Sequence, residues 1–296
     1  MKFSFLKNTI KENWKYSQIG NIWRFFISGD EFISGETRDI ENRKAYFFTL
    51  DIKTGKPFLK NYVYEKEEYW TSIEFAYKNI LFIHKFEHPE LPHHKGITAI
   101  DIISGKIIWE NDEMQYFFIN DNILYTIKQL FESFEIYMLD SVSGKNLGKI
   151  ENEKINEIYA MRDDLTDYEN PEKYLYTINF ERNENETSIS DIILNETKAR
   201  KYYGNPEYII YDDILIFNVY FQKELDFKDI TKLNLLNKIF IYNINTQSKL
   251  YEQVINDNCN FNVPDSFFIY GKYLFLVVEK KEIVCFDLQN INGKIK

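Results

Sequence analysis

The chain has 296 residues, 44% hydrophobic and 17% aromatic, a supply of core-forming side chains that argues against intrinsic disorder. Its formal net charge is −10 and its Lys and Arg are scattered, which argues against a phosphate-tracking surface and so against nucleic acid as a partner. Cys259 and Cys285 are the only cysteines, too few for a disulfide framework and not spaced as a zinc or redox motif.

The N-terminal stretch "MKFSFLKNTIKENWKYSQIG" has an apolar run broken by Lys7 and Lys11, with no small-residue cleavage site after it. It does not read as a signal peptide. No stretch approaches the ~18 apolar residues of a spanning helix. The expected location is cytoplasmic, with no membrane partner.

Beyond the N-terminus, one phrase recurs: an apolar strand, an Asp, two or three residues, then Ser/Thr-Gly-Lys. It reads "FFTLDIKTGKPF" at 47–58, "ITAIDIISGKIIW" at 97–109 and "IYMLDSVSGKNL" at 136–147. Looser copies are "IFIYNINTQSKL" at 239–250 and "IVCFDLQNINGKI" at 283–295, and "ISDIILNETKARKYY" at 189–203 takes the fourth slot in degenerate form. The Asp side chain can bind nearby backbone N–H groups and the Gly takes φ > 0, as a hairpin turn requires. Upstream of each turn lie two more apolar strands joined by a polar turn, as in "WTSIEFAY" then "YKNILFIH".

Four short antiparallel strands per period, six times over, predict an all-β fold: a six-bladed β-propeller of four-stranded blades. The blades are expected near 22–65, 69–112, 114–153, 156–204, 206–255 and 265–296, forming one domain over 1–296. The last copy is short by an outer strand. The segment 11–19 is expected to supply it, with Trp14 where Trp109 sits in "KIIWEND", so that the N-terminal strand closes the ring.

The Gly turn followed by Trp, "AIDIISGKIIWE", resembles the repeat of quinoprotein-type propellers, those related to pyrroloquinoline quinone (PQQ) dehydrogenases. The overall pattern also looks like an uncharacterised bacterial propeller family. The resemblance implies a fold rather than an activity, because the phrase is structural in that family. The quinone enzymes are exported, and many carry adjacent paired cysteines that this sequence does not have. No cofactor is expected.

All four histidines fall in "IHKFEHPELPHHKGI" at 83–97, the loop between the second and third strands of the second blade. The same face carries the end of the second strand of blade 1 and the approach to blade 2. Glu36, Arg38, Trp70, Glu74, His84, His93 and His94 are therefore candidates for one ligand- or partner-binding patch. Metal ligation by the histidines needs three or four converging donors. His93 and His94 are adjacent and point apart in extended backbone, and Pro89 and Pro92 stiffen the loop, so packing over the face is preferred and no metal ligands are assigned. The acidic run at 162–173, with Asp163, Asp164, Asp167 and Glu169, lacks the Gly of a calcium loop and reads as solvated. The insertion 222–238 spaces Leu225, Ile230, Leu233 and Leu236 as a short amphipathic helix.

No phosphate loop or nucleophile elbow is visible, and no catalytic residue is assigned. The expected function is a non-catalytic protein-interaction scaffold working through that loop face, with a protein as partner. The alternative is a small-ligand or metal-binding propeller, extended to hydrolase or lyase chemistry, with its site at the blade 1–2 face.

Overall fold

A computed structural model describes residues 10–87, 93–165, 171–181, 187–198, 200–223, 234–261, 263 and 266–292. Strand β1 is Trp14–Ser17. The first sheet follows as β2 (Asn21–Ser28), β3 (Phe32–Asp39), β4 (Lys44–Asp51) and β5 (Pro57–Tyr62). The second is β6 (Thr71–Tyr77), β7 (Ile80–Phe86), β8 (His94–Asp101) and β9 (Ile107–Asn111). The third is β10 (Gln115–Asn120), β11 (Ile123–Gln129), β12 (Phe134–Asp140) and β13 (Asn146–Lys149). Each is a four-stranded antiparallel meander in sequence order.

Helix α1 (Ile155–Asp163), strands β14 (Tyr174–Leu175) and β15 (Ile178–Asn179) and helix α2 (Thr187–Thr197) come next. The fourth sheet runs β15, β16 (Tyr202–Tyr211), β17 (Ile214–Gln222), β18 (Leu235–Asn243), β19 (Ser248–Cys259). The fifth has the order β1, β22 (Glu282–Asp287), β21 (Tyr273–Val278), β20 (Phe267–Tyr270), β14, and the short helix α3 (Gln289–Asn292) follows it. Among the described residues no helix is long and apolar enough to cross a membrane.

The chain divides into two compact units, Gln18–Pro171 and Met1–Ser17 with Glu172–Lys296. The first unit holds sheets one to three. Its core includes Phe47, Leu81 and Ile100 in one cluster and Phe82, Ala99, Leu124 and Leu139 in another. The second unit holds sheets four and five around Ile216, Ile241, Leu274, Leu276 and Phe286.

The recurring phrase closes each hairpin as its chemistry requires. Asp101 Oδ1 accepts from the backbone N–H and the hydroxyl of Ser104, both at 2.7 Å, and Gly105 N–H donates to Asp101 O at 2.8 Å. Asp51 with Thr54 and Asp140 with Ser143 repeat the arrangement. The Gly also permits a close approach. A Cβ on Gly144 would lie 2.6 Å from the Trp109 ring, and Trp109 Nε1 donates to Ser141 O at 3.0 Å, so the turn of the third sheet seats on the outer strand of the second. Gly105 sits likewise against Leu59 and Tyr62 of β5.

The N-terminal strand takes the expected place. Trp14 pairs with Cys285, two residues before Asp287, as Trp109 pairs with Ala99, two residues before Asp101. The segment 156–204 corrects the repeat reading. It forms no four-stranded sheet among the described residues, so these hold five sheets rather than six. "NEIYAMR" is helical because Ile155, Ile158 and Tyr159 share one side of a 3.6-residue turn and pack with Phe117 and Phe118. In "ISDIILNET", Ile189, Ile192 and Ile193 do the same against Leu215 and Phe217. "YLYTIN" splits between two sheets, β14 pairing with β20 and β15 with β16.

Candidate functional site

Glu36, on β3 of the first sheet, is fully buried and turned toward the start of β6 in the second. Its carboxylate accepts from Ser72 Oγ at 2.7 and 2.8 Å and from Ile73 N–H at 2.8 Å. Arg38 lies two residues on, on the same strand face, 3.4 Å from Glu36 Oε1, and donates to the carbonyls of Tyr69 and Thr71 at 2.6 Å each. Arg24 on β2 reaches Ser72 Oγ with Nη2 at 2.6 Å and brings Nε to 3.4 Å from Glu36. One carboxylate thus sits between two guanidiniums and ties the first sheet to the second.

Beside this network lies a second cluster. The β6–β7 register slips between Ile73 and Phe75, which makes Glu74 the extra residue of a β-bulge, and bulges re-aim side chains. Phe117, at the same offset in β10, is the extra residue of a matching bulge, so the third sheet puts an aromatic ring where the second puts a carboxylate. Glu74 Oε1 lies 3.0 Å from His84 Nδ1 and accepts a hydrogen bond from His94 Nδ1 at 2.7 Å. The two imidazoles stack, ring centres 3.6 Å apart and 10° from parallel.

Burial differs across the cluster. The His84 side chain is 0% exposed, Glu74 10% and His94 39%. Burial alone would raise the Glu74 pKa, but the close imidazoles of His84 and His94 outweigh it and hold the carboxyl down to about 2. Burial pushes His84 below its usual value, with the Glu74 carboxylate opposing. Glu74 is therefore an anion and His84 a neutral ring at pH 7.

Around the cluster runs an aromatic and cationic rim. Trp70 is half-buried at the approach to β6, packed edge-on with Tyr69 at 4.9 Å and with Phe86 at 6.4 Å. The exposed Arg43 guanidinium lies 5.6 Å from the Tyr69 ring centre and 5.8 Å from that of Trp70. Phe86 contacts both imidazoles.

Of the seven residues expected to converge, Glu36, Arg38, Trp70, Glu74, His84 and His94 do so, in these two adjoining groups. His93 is exposed and is not among the converging donors; its carbonyl accepts from Glu87 N–H at 2.9 Å. Adjacent residues of an extended segment point apart, which is why one of the pair is in and the other out. His88, Asp167, Glu169 and the insertion's Leu225, Ile230 and Leu233 lie outside the described residues. Arg24, Ser72, Tyr69 and Arg43 complete the site without having been singled out in the sequence. Arg24 had a signal, as the one charged residue in the apolar strand "IWRFFIS"; the other three had none.

A family profile described as "Domain of unknown function (DUF4905)" matches residues 28–109, a stretch that holds Glu36, Arg38, Glu74, His84 and His94 but not Arg24. No curated protein matches the chain. Among solved structures, a europium-containing methanol dehydrogenase is 7% identical with a TM-score of 0.28, covering 91% of this chain and 51% of that one. The Dos1 propeller is 10% identical with a TM-score of 0.30, covering 95% of this chain and 62% of that one. A member of the DUF4221 family from Bacteroides vulgatus is 9% identical with a TM-score of 0.31, covering 93% and 98%. The chain spans between 51% and 66% of the first structures it matches. Likeness this slight leaves the fold to the chain's own sheets.

Proposed function

We propose that the protein is a propeller-type binding module, each sheet a blade and the N-terminal strand the ring-closing one, that engages a protein partner at the start of β6. The docking of each Gly turn on the preceding outer strand, at Gly105 and Gly144, supports blades of the quinoprotein-type repeat. The observation that carries the function is the Arg43–Tyr69–Trp70 rim. Arg, Tyr and Trp are the residue types that dominate binding energy at protein interfaces, and here an exposed guanidinium spans two partly exposed rings.

The buried charges behind the rim suit a scaffold. Glu36 accepts from Ser72 and Ile73, Arg38 donates to the carbonyls of Tyr69 and Thr71, and Arg24 donates to Ser72, which fixes the platform on which Tyr69 and Trp70 stand. The test is cross-linking capture from native cells with the full chain as bait, beside an Arg43→Glu, Trp70→Ala double variant. A partner held by the wild-type chain and lost from the folded double variant supports the reading. Equal recovery with both, or none with either, removes it.

A further inference from the structure

We propose that Glu74, His84 and His94 form a binding site for a divalent transition-metal ion of the zinc class, a site that goes beyond the scaffold reading and does not depend on it. Two imidazoles and a carboxylate are a donor set that zinc, cobalt(II) and iron(II) accept, and three protein ligands leave a coordination position open. Here the three donor atoms lie within 4.8 Å of one another. They come from three successive strands, β6, β7 and the first residue of β8, so the scaffold and not a flexible loop sets their spacing.

The state of His84 is the second observation. Its side chain is fully buried, yet neither ring nitrogen makes a hydrogen bond of good geometry, the 3.0 Å approach to Glu74 included. A buried polar atom left in that condition costs about 1–3 kcal/mol, and the protein places it beside a carboxylate and a second imidazole. A metal bond to Nδ1 would satisfy the atom that the hydrogen bond does not.

Charge permits the ion. The guanidiniums of Arg24 and Arg38 both lie against Glu36, and that of Arg43 lies over Tyr69 and Trp70 at the rim. Glu74 presents one carboxylate oxygen to both imidazoles, so an incoming dication meets an oxygen and two nitrogen donors.

The stacked arrangement must change in one respect. With bonds of roughly 2.0–2.1 Å, tetrahedral ligand atoms stand about 3.3 Å apart, and the ion lies near the plane of each ring. Parallel rings 3.6 Å apart share no such point. One ring must tilt by turning about its side-chain torsions, and it is His94. The His84 side chain is 0% exposed within the sheet, whereas His94 is 39% exposed at the strand end and opens to solvent, where water takes the fourth position. His93, exposed and outside the cluster, is no ligand.

The experiment titrates the chelator-treated full chain with Co²⁺, read by visible absorption, and with Zn²⁺, read by calorimetry and thermal unfolding. The expected result is saturation near about one equivalent with d–d bands of low coordination number, and a melting temperature raised by Zn²⁺. His94→Ala and Glu74→Gln should weaken binding by about 100-fold or more, while His93→Ala binds as wild type. Absence of a saturable Co²⁺ spectrum overturns the site. So does unchanged affinity in His94→Ala, which would put the ion elsewhere on this acidic chain. His94→Ala changes a partly exposed strand-end residue and carries the test if Glu74→Gln does not fold. Partner capture through Arg43 and Trp70 reads out separately, so the metal site and the scaffold can fail independently.

Discussion

His84 and His94 stack face to face, 3.6 Å between ring centres, over a single carboxylate oxygen of Glu74. The pair is asymmetric, one ring sealed in the sheet and the other at its edge. That asymmetry sets the pH behaviour of the region.

In chelator, stability should fall as pH drops, in two windows. His84 is held below its ordinary 6.5 by burial, so as pH falls through 6.5 the unfolded chain binds the proton first and the fold loses ground. Glu74 is held at about 2 against 4.5 for a free side chain, so its contribution is full above 4.5 and lost as pH falls toward 2. That contribution is of order 3 kcal/mol. Urea midpoints of wild type and Glu74→Gln should diverge most above pH 4.5 and converge below it. Parallel curves throughout would mean that Glu74 is not the ionised partner described.

Gly144→Ala should cost about 2–4 kcal/mol. It adds a Cβ at φ +68°, where an L-residue pays about 1–2 kcal/mol, and drives that Cβ to 2.6 Å from the Trp109 ring. Gly271→Ala is the matched control: φ is +56° with nothing within 4 Å, so only the backbone cost remains. Chemical denaturation should rank the two in that order, and Trp109 fluorescence should shift in the first alone. Equal losses would show that the turn does not press on the indole.

Glu36→Ala should destabilise by about 3–5 kcal/mol, because it leaves Arg38, 12% exposed, without its counter-charge. Replacing Arg38 by Met as well should recover part of that loss. A double-mutant cycle in urea that gives no coupling between the two positions would contradict the network.

Both thiols should be silent in the folded protein. Cys285 is fully buried and Cys259 nearly so, and burial pushes both thiols up, away from the reactive thiolate. A disulfide-exchange reagent should titrate both in guanidinium and neither under native conditions. Fast native labelling of Cys285 would show that β22 is not covered by β1.

Much of this was legible in the sequence, residue by residue. Asp101, Ser104 and Gly105 announced their hairpin because the turn is made by neighbours in the chain. The shared face of Glu36 and Arg38 followed from strand parity, and the order of loops put Trp70, His84 and His94 on the same side as that pair. The fourth repeat departs from the strand pattern because "NEIYAMR" and "ISDIILNET" are short apolar runs in which helical and strand periods overlap. Their helices became distinguishable only through the sheets they cover.

The sequence by itself determined the strands and antiparallel meanders of the first three sheets and the pairing of Trp14 at the last sheet, because alternation and turn chemistry act over a few residues. Only the tertiary structure decided that Glu74 bulges toward His84, that His94 turns in while His93 turns out, and that Arg43 lies across Tyr69 and Trp70. Those outcomes depend on register slips and on side chains from separate strands, and a one-residue slip reverses which face a side chain occupies.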